Sequence, residues 1–475
     1  MNIGYPHAPD FPAGFTWLNT DHPLQFSGEL RGQVVVLDFW TYCCINCMHV
    51  LPDLDYLEHK YADQPVTIIG VHSNKYTEEA SPANIRQAIL RYNITHPVIV
   101  DEHQAIWNQF VISAWPTLVV IDPTGRILGT LPGEGHREQL DQIIDELLAQ
   151  GRRESTLAAG PLSLQHEQRQ DPATGLFYPG KVLADATGGR LFIADSDHQR
   201  ILITDWSGMV MDVIGNGQIG LHDGAFAEAT FHDPQGMALR GDLLYIADTD
   251  NHALRRADLE NRRVDTVVGN GKISYDRRGG HLGREQGLNS PWDVAFVDNL
   301  LFIALAGLHQ IWTYNPETTE ARLAIGTGRE NITDNPAHRA ALAQTSGLSA
   351  ANGILYFADS ETSSVRQYDP GTDEVSTLVG QGLFIFGDKD GDGPNALLQH
   401  PLGVAASPNG ALYVADTYNS KIRRIDLTSG LVTTLAGSGK PGVGSAGALE
   451  LYEPGGLSVA GNDLFIADTN NHRVI

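Results

Sequence analysis

Two textures of hydrophobic pattern divide this chain. In residues 1–150, short apolar runs alternate with segments whose apolar residues recur every three or four positions. The runs Gln33–Trp40, Val66–Val71, Val98–Val100, Leu118–Ile121 and Ile127–Leu131 read as strands. Between them, Ile45, Met48, Leu51, Leu54, Leu57 and Tyr61 fall at helical spacing. Ile85–Tyr92, Ile106–Val111 and Arg137–Leu148 complete the alternation. It predicts an α/β sheet covered by helices. Pro52 lies inside the first helical pattern and predicts a kink there.

From about residue 175 the pattern changes to short strands rich in Gly and Asp, and it repeats. Leu191-Phe192-Ile193-Ala194-Asp195 recurs at Leu244, Leu301, Leu355, Leu412 and Leu464, with spacings of 53, 57, 54, 57 and 52 residues. A period near 50 residues suits propeller blades. Each unit offers four strands: one after a Pro-x-Gly such as Pro234-Gln235-Gly236, the Leu-Tyr-Ile-Ala-Asp segment, one after a turn such as Asn251-His252, and one ending in Val268-Gly269-Asn270-Gly271. Six units predict an all-β six-bladed propeller. The turn dipeptide recurs as Asn471-His472 and is degenerate elsewhere, read as Asp197-His198, Leu308-His309, Ser363-Ser364 and Asn419-Ser420. The repeated Asp and Asn/His are expected to serve turn geometry within each blade. The third unit carries Leu305 in place of the Asp.

The expected boundaries are therefore 1–150 for the α/β domain, 151–174 for a linker and 175–475 for the propeller. The last unit breaks off at Ile475 within its third strand, so the last blade is expected to be incomplete and the chain to be a fragment. The alternative is that Thr156-Leu157-Ala158-Ala159-Gly160, similar to Thr434-Leu435-Ala436-Gly437, closes the ring.

Charge narrows the partners. The net charge is −25 at pH 7, which disfavours nucleic acid and anionic membranes. The start, Met1 to Asp10, lacks the charge and apolar core of a signal peptide, and no run approaches a membrane span. The cytoplasm is the expected compartment.

All three cysteines, Cys43, Cys44 and Cys47, lie in one five-residue window between the first strand and the first helix. A Cys-x-x-Cys at that junction is the local plan of a thioredoxin-type redox site. A thiol at a helix N-terminus is stabilised as thiolate, the nucleophile in disulfide exchange. Cys44 is thus the expected attacking thiol and Cys47 the resolving one, with Cys43 left to packing or modulation. Three other readings stand beside this: a zinc site, short of ligands here; a thioredoxin fold used only for binding; and an inert thiol cluster.

The sequence Leu37-Asp38-Phe39-Trp40-Thr41-Tyr42-Cys43-Cys44-Ile45-Asn46-Cys47-Met48 resembles the thioredoxin-like domain of membrane-anchored bacterial thiol reductases and their soluble relatives. The resemblance implies that Asp38 is the buried carboxylate assisting the second cysteine, and that Trp40 is the aromatic before the motif. It also implies a cis proline facing the cysteines at Trp115-Pro116. Cys43 stands where thioredoxins carry Trp, and Ile45-Asn46 replaces Gly-Pro, so neither docking surface nor potential transfers from a relative. His49 and His72 are assigned no role. The repeats resemble NHL repeats. Thioredoxin-like domain and six NHL units in this order resemble the NHL repeat-containing protein 2 family.

Two motifs are decoys. Asp388-Lys389-Asp390-Gly391-Asp392-Gly393 opens like an EF-hand loop, but Gln399 occupies the position of the bidentate Glu. Gly215-Asn216-Gly217 is a turn, because no helix follows it. The sequence thus points to a thiol–disulfide oxidoreductase that needs no metal or cofactor. Protein thiols or disulfides are its substrates, and the propeller face is expected to hold a protein partner. The alternative is a non-enzymatic scaffold, and a metal-dependent lyase built on channel histidines is a weaker third reading.

Overall fold

The computed structural model describes residues 5–169, 172, 174–444 and 449–475. They form two compact units, Met1–Gln170 and Asp171–Ile475.

The first unit is built on a mixed sheet of β1 (Trp17–Leu18), β2 (Val34–Trp40), β3 (Val66–His72), β4 (Val98–Val100), β5 (Thr117–Ile121) and β6 (Ile127–Pro132), in the order β1-β4-β3-β2-β5-β6. β2 is central and buried along its whole length, parallel to β3 and antiparallel to β5. Its alternate residues feed two cores. Val35, Leu37 and Phe39 pack with Ile106, Trp107 and Phe110, two of them on α3 (Ala105–Gln109). Val34 and Val36 pack with Leu54 and Leu57 of α1 (Ile45–Lys60) and Leu140, Ile144 and Leu147 of α4 (Arg137–Glu154). α2 (Pro82–Arg91) completes the set. α1 runs continuously through Pro52. The two-residue β1, paired with β4, has too little pattern to be seen in sequence.

Most of the stretch expected as a linker belongs to this unit. α4 continues to Glu154, Leu157 joins the core beneath it, and Leu162 and Leu164 pack on the other face of the sheet. Ala158 N–H donates to Gly32 O, so Thr156–Gly160 does not supply a strand to the propeller ring.

The second unit is a six-bladed propeller among the described residues. Blade two is typical: Pro234–Arg240, Leu243–Asp248, Ala253–Asp258 and Arg263–Val268 pair in sequence from the channel outwards. Two Asp-Gly stretches pair as short edge strands, Gly224–Ala225 against Val264 and Arg263, and Gly391–Asp392 against Val432 and Leu431. The described part of blade six has three strands, Gly456–Ala460, Asp463–Asp468 and Arg473–Val474.

Each repeated Asp does more than shape a turn. Asp248 accepts His232 N–H on one oxygen and the Arg255 guanidinium on the other, at 2.8 and 2.6 Å. Asp359 does the same with Ala343 N–H and Arg366, and Asp416 with Gln399 N–H and Arg423. These arginines sit seven positions after the Asp and are fully buried. In blade three the equivalent pair is Leu305 and Trp312, an apolar substitute for the same volume. Asp388 and Asp390, the EF-hand decoy, are ion-paired to Arg423, and Asp388 also to Lys421.

The turn dipeptides stitch blades together. A left-handed residue closes each turn: Gln199, His252, His309, Ser363, Ser420 and His472. Its side chain accepts a backbone N–H of the next blade, from Asp233, Ser290, Gln344, His400, Glu453 and Tyr178 respectively. The bond from Tyr178 to His472 closes the ring. The register read in sequence is therefore shifted by one in two blades: the equivalents of Asn251-His252 are His198-Gln199 and Thr362-Ser363, because position is set by the left-handed residue and not by the letter His.

The channel has a volume of about 270 Å³, lined by inner-strand residues such as Met237, Leu348, Val404 and Leu457. Lys181 reaches across it to Asp293 at 3.4 Å and donates to Ser346 O and Leu402 O. No histidine is among the described residues that line this cavity.

Candidate functional site

The three cysteines sit where β2 hands over to α1. Cys44 is the N-cap of α1, in extended conformation, and Cys47 N–H and Met48 N–H both donate to Cys44 O. All three are free thiols and buried, with Cys44 the most accessible at 5%. The loop is pinned from both sides. Tyr42 N–H donates to His72 Nε2 at 3.3 Å, and the Tyr42 ring stacks on that imidazole. Cys43 N–H donates to Glu79 Oε1 at 2.9 Å, while Glu79 Oε2 accepts the N–H groups of Lys75 and Tyr76. Glu79 is fully buried and was not singled out in sequence, because nothing local marks it. Cys43 Sγ lies 3.9 Å from Thr41 Oγ1.

The Trp115-Pro116 peptide is cis. Trp115 donates its indole N–H to Ser73 O at 2.9 Å and packs on Trp107 with centroids 4.3 Å apart. Pro116 O accepts Gly133 N–H, and the next residue, Glu134, meets His49 of α1 at 2.5 Å. His49 is thus an anchor between α1 and the loop after β6. His72 is a buried packing partner of Trp40, with burial pulling its pKa down to about 3.

The electrostatics are dominated by burial. Burial raises the Cys47 thiol well above its ordinary range, with the neighbouring Cys44 and the Asp38 charge adding to it and a Thr41 backbone hydrogen bond opposing. Asp38, fully buried on β2, is pushed up to about 7 by burial, with His96 pulling the other way. Neither Asp38 oxygen has a hydrogen-bond partner among the described residues, nor does Trp40 Nε1. Such atoms are rare in protein interiors. The Asp38 charge is close enough to Cys47 to raise its thiol further.

Comparison with known proteins agrees with both units. Residues 32–127 match the thioredoxin-like family model, and 398–425 and 451–475 match the NHL repeat model. Thiol-disulfide oxidoreductase YkuV of Bacillus subtilis is 25% identical over 143 residues, 30% of this chain and 94% of that protein. Protein SUPPRESSOR OF QUENCHING 1, chloroplastic, of Arabidopsis thaliana is 45% identical over 98% of this chain and 46% of its own length. That relative's name places it in the chloroplast, so kinship does not carry the cytoplasmic expectation. Among the described residues no helix is long and apolar enough to cross a membrane. NHL repeat-containing protein 2 of Bos taurus is 42% identical over 98% of this chain, which spans 69% of that protein. With both units in the same order and matched almost end to end, the chain belongs to the NHL repeat-containing protein 2 family.

Proposed function

We propose that the first unit is a thiol–disulfide oxidoreductase acting on a protein partner held by the propeller. Cys44 thiolate attacks a partner disulfide, forming a mixed disulfide and releasing one partner thiolate. Cys47 then gives its proton to Asp38 and attacks Cys44 Sγ. The second partner thiolate leaves and a Cys44–Cys47 disulfide remains, which an external dithiol reduces to restart the cycle. Run backwards, the same steps oxidise a dithiol. Trp40, Cys43, Trp115 and Pro116 shape the surroundings of that exchange.

The observation that carries this reading is the buried, unpartnered Asp38 carboxyl, set near 7 beside a thiol that burial holds protonated. A general base works best with a pKa near the working pH. A purely structural carboxylate in the same place would carry partners, as Glu79 does. The pairing of Cys44 at the N-cap of α1 with Cys47 in its first turn supports exchange over docking alone.

Cys47→Ser removes the resolving thiol and should trap the partner on Cys44. The variant, incubated with cell extract and quenched with alkylating reagent, is expected to give reducible adducts absent from the Cys44→Ser control. A folded Cys47→Ser protein that traps nothing would favour the scaffold reading instead.

A further inference from the structure

Resting on that reading, we propose that His96 and Glu58 form a proton relay, carrying the Cys47 proton from Asp38 out to solvent at a cavity beside α1. Asp38 is fully buried and must pass on any proton that it takes. Its register partner on β3 is Gly70. A methyl group at Gly70 would lie 2.8 Å from Trp40 Nε1 and 3.4 Å from His96 Nε2, so glycine keeps open the space between these atoms. The two Asp38 oxygens, Trp40 Nε1 and His96 Nε2 all lack hydrogen-bond partners among the described residues. Trp40 Nε1 and His96 Nε2 thus border the Gly70 position together with Val98 Cγ2 at 3.2 Å, and Asp38 is its register neighbour on β2, so unmatched polar atoms that are costly in isolation gather in one region.

The other side of His96 is occupied. Its Nδ1 meets Glu58 Oε2 at 3.3 Å, and Thr95 Oγ1 donates to the same oxygen at 3.1 Å. Glu58 is 23% exposed and, with Tyr61, Thr95 and His166, lines a cavity of about 140 Å³. Neutral His96 holding its proton on Nδ1 presents a lone pair at Nε2. A proton leaving Asp38 enters at Nε2 while the Nδ1 proton passes to Glu58 and on to solvent. The return half-cycle, when the disulfide is reduced and Cys47 thiolate needs a proton, runs the same path backwards and restores the tautomer. No electrons move in the relay and the proton count balances over the cycle.

The proton affinities are compatible with this path. Burial pulls His96 down, but the Glu58 charge and hydrogen bond, with Asp38 and Asp55, carry it above its ordinary value. Held above its ordinary value, His96 is a stronger proton acceptor than a free imidazole and can take the proton from Asp38. Burial raises Glu58, and the charge and hydrogen bond of His96 with Thr95 and His166 outweigh it. The titratable groups around the path are thus Cys44 at the N-cap of α1, Cys47, Asp55 and Glu58 on α1, Asp38 on β2, and His166 after α4.

The test is stopped-flow reaction of the reduced protein with dithiobis(nitrobenzoate). The first nitrothiophenolate is released when Cys44 attacks, the second when Cys47 resolves. His96→Asn and Glu58→Gln should leave the first release unchanged and slow the second on the order of tenfold near neutral pH. In His96→Asn the pH midpoint of the second phase should also move up, because His96 no longer holds the Asp38 carboxyl down. Glu58→Gln, at the cavity rim, decides the matter if His96→Asn does not fold. Wild-type second phases in the folded variants at every pH would overturn the relay. Absence of the first release in the wild type would instead overturn the oxidoreductase reading itself.

Discussion

Replacing Asp38 with asparagine should stabilise the thioredoxin-like unit at pH 8 by on the order of 4 kcal/mol while slowing resolution by Cys47. The sign follows from proton binding. The Asp38 carboxyl rises from 3.8 to about 7 on folding, because burial disfavours its charged form. Between those values the folded state holds a proton that the unfolded state has released, so stability falls as pH rises through the window. Above about 7 the full penalty applies, and the rise from 3.8 to about 7, at about 1.36 kcal/mol for each tenfold change in proton affinity, gives the figure quoted. Asparagine has the shape of the neutral acid and no charge to bury. Urea unfolding should therefore show variant and wild type alike near pH 4 and the variant more stable at pH 8. The second phase of disulfide exchange should lose on the order of a hundredfold, as expected for removal of a general base. Equal stability at both pH values would mean that Asp38 is not the strained acid described here.

Arg423→Ala should destabilise the propeller by about 3–5 kcal/mol, the range for breaking a buried ion pair from one side. Arg423 is 1% exposed and bonds Asp416, Asp390 and Asp388 at once. Its loss leaves Asp416 with a buried charge. Burial already raises that carboxyl and Arg423 is the first of the groups holding it down. In the variant Asp416 stays protonated to higher pH, so the loss should be smaller near pH 5 than at pH 8. Blade three shows how the volume can be filled without charge. The pair Asp416→Leu with Arg423→Trp, copied from Leu305 and Trp312, should cost less than Arg423→Ala alone. Chemical denaturation of the three proteins checks both the size and the order.

The sequence made the architecture legible because both units repeat a simple rule. β2 and the strands around it are apolar runs, and a six-fold period needs no packing detail to be seen. Cys44, Cys47 and Asp38 stood out through spacing and resemblance. The supports did not. Glu79 grips Cys43 from 36 residues away, and His96 Nε2 lies 3.4 Å from where a side chain at Gly70 would begin. Contacts of that kind depend on register between strands, which a single sequence does not display. The buried arginines could have been found: Arg255, Arg366 and Arg423 recur at one offset from the repeated Asp, on strand positions where an apolar residue would be expected. The expected boundary at 151 falls on Gly151, but α4 runs through that glycine to Glu154, and the stretch after it packs through isolated leucines without periodicity.

The central claim is that Cys44 and Cys47 exchange two electrons with a partner. A redox titration of the purified protein, quenched with alkylating reagent under denaturing conditions and counted by mass, tests it most directly. The account predicts one reversible two-electron transition. Three thiols should be alkylated on the reducing side and Cys43 alone on the oxidising side. Three alkylated thiols at every potential would contradict it.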